Sequence, residues 1–144
     1  MHSSHRPFAS PCIRANAAAM VPILLVMLGG ALGSGARLLV GRAMTAWLGA
    51  GFPWGTLTVN LAGGLAMGLL AGGLARMAGA SEPWRLLLGV GVLGGFTTFS
   101  AFALDAATII ERGDWGAALS YALVSVVGSV LAVFAGLGIM RAFA

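Results

Sequence analysis

The residues of this chain best placed to do chemistry are uncharged. The run Gly94-Gly95-Phe96-Thr97-Thr98-Phe99-Ser100-Ala101-Phe102 lies inside a long apolar stretch. Adjacent glycines weaken a helix, and hydroxyls compete with the backbone for its hydrogen bonds. At membrane depth, irregular backbone survives only where it is buried in protein or lines a watery path. The run therefore reads as a helix break that aims carbonyls and side chains at something polar. Phe99 and Phe102, three residues apart, share a helix face beside it. Such a pair ordinarily packs, but the positive edge of an aromatic ring can also approach a small anion. Asn60 lies mid-stretch, with Thr56 one turn earlier on the same face. Its amide is either satisfied by a neighbouring helix or turned to a pathway. Tyr121, Ser125 and Ser129 form an i, i+4, i+8 stripe. It reads as interhelical hydrogen bonding when taken alone, and as a polar track when taken with Thr56 and Asn60.

Charge is scarce. Arg37 falls within an apolar stretch, where it costs a few kcal/mol or more unless paired or hydrated. It binds backbone carbonyls or lines an aqueous vestibule that attracts anions. Asp105 follows the break by about one turn. It could pair with an arginine, cap, coordinate a cation or relay protons. Cys12 is the lone cysteine, and His2 and His5 sit in an atypical N-terminal stretch, so no disulfide framework or metal-ligand cluster is expected. No Ser/His/Asp set and no phosphate loop followed by Lys is present, so the chain is not expected to be an enzyme.

These residues have to be positioned by membrane helices. The chain has 144 residues, 59% hydrophobic and 8% charged, against about 25% charged in a soluble domain. Mean hydropathy is +0.97. A water-facing surface cannot be covered at that composition. The expected fold is an all-α integral membrane protein of four transmembrane helices: Val21–Leu48, Trp54–Met77, Trp84–Ile110 with the break near mid-membrane, and Trp115–Met140. Trp47, Trp54, Trp84 and Trp115 fall near span ends, as interfacial anchors should. Residues 1–20 are expected to be a disordered polar extension and 21–144 the four-helix domain. The net charge of +4 is too small and scattered for a nucleic-acid surface. Gly29/Gly33, Gly64/Gly68 and Gly91/Gly95 are close-packing pairs. Four short helices can hardly enclose a pore and pack themselves, so a two-fold dimer is expected. Beyond residue 20, Arg76, Arg85 and Arg141 oppose Arg42 and Arg112 across the membrane. That bias hardly fixes an orientation.

With these blocks in view, the chain resembles the Fluc family of small fluoride channels, also called CrcB-like proteins. The resemblance is carried by Gly29-Gly30-Ala31-Leu32-Gly33 leading to Arg37, by Gly55-Thr56-Leu57-Thr58-Val59-Asn60 with Gly63, by the Gly94–Phe102 run, and by Tyr121, Ser125 and Ser129. They occur in family order and cover about residue 24 to the end. The resemblance implies an antiparallel, dual-topology homodimer in the bacterial inner membrane, with two fluoride pores and a structural Na⁺ at its centre. It implies that the carbonyls of Gly94 and Thr97 hold Na⁺ and that Phe99 and Phe102 offer ring edges to fluoride. Asn60 would donate its amide, while Thr56, Thr98, Ser100, Tyr121, Ser125 and Ser129 would supply the polar track, and Arg37 a vestibule. The chain departs from the pattern at Ala101, usually Thr, at Asp105, commonly Glu, and at Leu38, usually aromatic. The implied function is passive fluoride export that lowers toxicity. Two other classes compete: a proton-coupled multidrug exporter, disfavoured because the first span lacks an acid, and a structural membrane protein, which leaves the break unexplained.

Overall fold

Turn chemistry sets the helix boundaries. Gly49 and Gly113 both have φ of +83°, the left-handed conformation that only glycine adopts without strain. Each closes a helix by donating its N–H backward, Gly49 to the Thr45 carbonyl and Gly113 to that of Ile110. Asp114 then caps the next helix, its Oδ1 accepting from the Ala117 N–H at 2.9 Å. The computed structural model describes residues 11–77 and 81–143, with side chains from Met20 onward. In chain order the elements are α1 (Pro11–Leu48), α2 (Trp54–Leu74), α3 (Glu82–Trp84), a π-wound stretch (Arg85–Leu93), α4 (Gly94–Phe96), α5 (Phe99–Glu111) and α6 (Trp115–Ala142).

Four segments are long and apolar enough to cross a membrane: Met20–Leu48, Trp54–Leu74, Glu82–Glu111 and Trp115–Ala142. The expected spans agree with them within a few residues. α1 itself reaches back to Pro11, so the backbone of 11–20 is helical rather than irregular. Proline suits a first turn, and the run from Ala15 to Ala19 favours helix. Residues 1–10 of the expected extension lie outside the described residues.

Glycine ridges hold the spans together inside one chain. A Cβ on Gly29 or Gly33 of α1 would strike the carbonyls of Leu87 and Val92. One on Gly95 would come within 2.6 Å of the Gly30 carbonyl. A Cβ on Gly64 would lie 2.7 Å from the Ser129 carbonyl, and one on Gly68 would strike that of Val133. Thus α1 packs on the first half of the third span, and α2 packs on α6, backbone against backbone. The glycine pairs read from the sequence as close-packing positions are used within the protomer.

Little else is buried. Among the described residues the buried core is Leu57, Val59, Ile109, Ala118 and Tyr121. Leu32, Leu39, Leu131 and Phe134 are all more than 60% exposed. In water that surface would aggregate; in a bilayer the lipid tails solvate it.

Candidate functional site

The third span stops being helical at Thr97–Thr98. Thr97 has φ −79°, ψ 160° and Thr98 φ −155°, ψ 124°, both extended. The chain kinks here because side chains replace the helical backbone bonds. Asn60, on α2, holds Thr98 at two points: the Thr98 N–H donates to Asn60 Oδ1 at 2.9 Å, and Asn60 Nδ2 donates to the Thr98 carbonyl at 3.0 Å. Thr98 Oγ1 accepts from the Ala101 N–H at 3.2 Å and so caps α5. The Thr97 N–H and Oγ1 both donate to the Leu93 carbonyl at 2.9 Å, ending α4. The Thr97 methyl lies where a Cβ of Gly63 would be, so glycine at 63 lets α2 carry Asn60 up to the break.

A groove of about 410 Å³ opens beside the break. Asn60, Thr97, Thr98, Phe99, Phe102, Ser125 and Ser129 line it, so the structure brings together residues from three spans that the sequence had singled out separately. The Ser125 and Ser129 hydroxyls are buried and have no hydrogen-bond partner. A buried hydroxyl without a partner costs about 1–3 kcal/mol. Both keep a hydrogen free to donate. The Phe99 and Phe102 rings sit 5.5 Å apart, tilted by 46°. Phe99 is 77% exposed on the protomer, so the groove has an open wall.

The remaining candidates occupy the approaches. Thr98 also lines a cleft of about 710 Å³ with Arg37, Arg42, Ser34, Thr45 and Thr56. Arg37 is half-buried there, and among the described residues no carboxylate pairs with it. Thr56 is shared with a second cleft, of about 310 Å³, lined by Asp105, Thr108 and Arg112. Asp105 pairs with neither arginine: it accepts from the Tyr121 hydroxyl at 3.2 Å. The Tyr121 hydroxyl thus gives its hydrogen to the acid, and its ring stands edge-on to Phe52 at 5.4 Å and tilted on Phe102 at 5.3 Å. Ser100 is exposed, its hydroxyl 3.4 Å from that of Thr98. Gly94 lines none of the three cavities. Among the described residues no group of three His, Cys, Asp or Glu could hold a metal. Backbone carbonyls are another class of donor that a hard cation takes.

Two carbonyls fit that description. In an unbroken α-helix the Gly94 carbonyl would accept from the Thr98 N–H and the Thr97 carbonyl from the Ala101 N–H. Both donors are diverted, to Asn60 Oδ1 and to Thr98 Oγ1. Carbonyl oxygens freed in this way suit a hard cation such as Na⁺. Neither the two-point Asn60 contact nor the π-wound stretch was read from the sequence. The partners in the first lie 38 positions apart, with only an unpaired amide in a span to hint at it.

The family model for CrcB-like protein, Camphor Resistance (CrcB), matches residues 24–137. The chain belongs to the CrcB-like family. A protein named "Fluoride-specific ion channel FluC" from Phenylobacterium zucineum (strain HLK1) is 56% identical over 123 residues, covering 85% of this chain and 97% of the relative. A protein of the same name from Chelativorans sp. (strain BNC1) is 57% identical over 122 residues, covering 85% of this chain and 98% of the relative. A third, from Caulobacter sp. (strain K31), is 56% identical over 123 residues, covering 85% and 96%. With four apolar spans, this CrcB-like chain is a multi-pass bacterial membrane protein. The family match begins just inside the first span, so the stretch before Met20 contributes nothing to it.

Proposed function

We propose that the chain is a fluoride-selective channel of the bacterial inner membrane that lets fluoride leave the cytoplasm passively, lowering its toxicity. The observation that carries the reading is the groove at the break, where two unpartnered serine hydroxyls face the same space as a pair of phenylalanine rings and an asparagine amide. Fluoride is small and strongly hydrated, so a pore must replace its water with donors. Ser125 and Ser129 supply O–H groups. Asn60 Nδ2 carries two hydrogens, of which the Thr98 carbonyl takes one. The rings of Phe99 and Phe102 add weak edge contacts that hold an anion without trapping it, as conduction demands. Arg37 and Arg42 in the adjoining cleft raise the local anion concentration.

The open wall of the groove is closed by a second copy. Two protomers related by a two-fold axis in the membrane plane make an antiparallel homodimer with a pathway on each side. The break lies at mid-membrane in that assembly, and Gly94 and Thr97 carbonyls of both copies meet at the axis. Those carbonyls would hold a structural Na⁺, which supplies positive charge where helix breaks leave oxygens exposed. The family relatives named as fluoride channels support this reading over proton-coupled drug export. Such an exporter would need an acid in the first span, and Met20–Leu48 has none.

Reconstitution into liposomes tests it. Loaded vesicles should release fluoride once a K⁺ ionophore relieves the charge build-up, and should retain chloride. Equal release of both anions, or drug uptake driven by a proton gradient without fluoride release, would reject the proposal.

A further inference from the structure

Asn60 faces the groove, yet both of its resolved hydrogen bonds go to the backbone of the break. We propose that Asn60 is a positioning residue for the cation site: by capturing the Thr98 N–H it releases the Gly94 carbonyl and orients the Thr97 carbonyl, while its remaining amide hydrogen faces the anion groove. One side chain then serves a cation site through the backbone and an anion pathway directly. The inference rests on the Na⁺ reading above.

The geometry is that of a single peptide plane. The Thr97 carbonyl and the Thr98 N–H belong to the same peptide unit, which is trans, as all are among the described residues. In a planar trans peptide the two groups point in opposite directions. The Thr98 N–H points at Asn60 Oδ1, 2.9 Å away. The Thr97 carbonyl must therefore point away from the Asn60 amide. The other end of the unit is equally fixed, because the Thr97 N–H and hydroxyl are both anchored on the Leu93 carbonyl. The same captured N–H is the one Gly94 would have used in a helix. Its removal leaves the Gly94 carbonyl without that partner. The release of the Gly94 carbonyl and the direction of the Thr97 carbonyl thus both follow from one hydrogen bond from Thr98 to Asn60, while Thr98 Oγ1 takes the Ala101 N–H that the Thr97 carbonyl would have accepted. The Asn60 Nδ2 bond to the Thr98 carbonyl locks the amide against rotation, so that its second hydrogen keeps one direction. A residue whose only task was to greet anions would have no need of two backbone contacts.

The experiment reads Na⁺ dependence of stability in the whole purified protein. Thermal midpoints are measured as NaCl replaces choline chloride at constant ionic strength. The wild type should gain stability with a saturating dependence on Na⁺, as any ligand of the folded state produces. Asn60→Asp keeps the acceptor and loses the donor; Asn60→Ser loses the two-point fit. Asn60→Ser should raise the half-saturating NaCl concentration roughly 2- to 10-fold, the equilibrium worth of one neutral hydrogen bond, whereas Asn60→Asp, which still accepts from the Thr98 N–H, should leave it at the wild-type value or lower. Leu57→Ala, a core truncation, and Ser125→Ala, in the groove, should leave that concentration unchanged whatever they do to the midpoint itself. If a variant at 60 is unfolded at ordinary salt, roughly 1 M NaCl should recover it by mass action, and failure to do so counts against the proposal. A wild type that responds to Na⁺ with an Asn60→Ser variant of unaltered half-saturation would overturn this inference alone. A wild type indifferent to Na⁺ would remove the cation site and the inference with it.

Discussion

At the scale of single residues, the groove makes two predictions that separate pathway from packing. Phe99→Ile roughly conserves volume at a position 77% exposed on the protomer, so the cost to folding should be well below the 1–2 kcal/mol typical of a repacked core. Phe102→Ile also loses its contact with the Tyr121 ring and should cost about 1–2 kcal/mol. If ring edges meet fluoride, both variants should lose roughly 10-fold or more in liposome efflux, equal to about 1.4 kcal/mol. Thermal midpoints would confirm that the fold survives. Folded variants with wild-type efflux would show that the rings are only packing. Ser125→Ala and Ser129→Ala carry the complementary expectation. A hydrogen-bonded buried serine costs stability when truncated, whereas an unpartnered one does not. Both alanine variants should be at least as stable as the wild type, gaining up to about 1–3 kcal/mol by denaturation, and should slow fluoride efflux. A large stability loss would mean the hydroxyls have partners. These residues were legible because a hydroxyl or amide in an apolar span needs a reason. Which partner each one takes was not: Tyr121 reads as part of the serine stripe, yet its hydroxyl goes to Asp105.

At the scale of elements, the spans and turns were legible and the packing was only half so. Apolar length fixed four crossings, and Gly-Asp-Trp at 113–115 marked a turn that the structure builds with a left-handed glycine and an aspartate cap. The Gly94–Phe102 run announced a break, and the extended residues are Thr97 and Thr98 within it. The glycine pairs announced close approach without saying to what. Spacing gives the face a residue occupies, and nothing in spacing distinguishes a helix of the same chain from one of another copy. The π-wound stretch Arg85–Leu93 was invisible for a related reason, since α and π winding share residue preferences and differ by one hydrogen-bond step. A pair of substitutions tests the packing. Gly33→Ala drives a methyl into the Val92 carbonyl, a backbone atom that cannot rotate away. It should destabilise by about 1–3 kcal/mol. At Gly138 of α6 a Cβ meets nothing within 4 Å, so Gly138→Ala should be neutral or gain up to about 1 kcal/mol of helix propensity. Equal effects in thermal unfolding would show that α1 and the third span are not in backbone contact.

At the scale of the whole molecule, orientation is the open physical variable, and arginines decide it. Arg76, Arg85 and Arg141 lie at one end of the four spans; Arg42, late in α1, and Arg112, capping α5, lie at the other. Glu82 forms a bidentate pair with Arg85 at 2.8–2.9 Å, but acidic residues weigh little in topology. Insertion should therefore be nearly indifferent between the two orientations. With the glycine ridges used inside the protomer, the proposed dimer joins copies through the face holding the open groove and Phe99. A parallel pair, related by an axis along the membrane normal, would join that face as well but would point both pathways the same way. An antiparallel pair gives one pathway of each direction, so conduction should not depend on the side of addition. Ser81, in the connection between α2 and α3, reports orientation. Ser81→Cys in a chain begun at Met20, which omits Cys12 and the added weight of Arg6 and Arg14, can be labelled with an impermeant thiol reagent. About half of the molecules should react in intact cells and the rest only after permeabilisation, as the weak arginine bias implies. Labelling of essentially all molecules from one side, in protein that still conducts fluoride, would replace the antiparallel dimer with a parallel one.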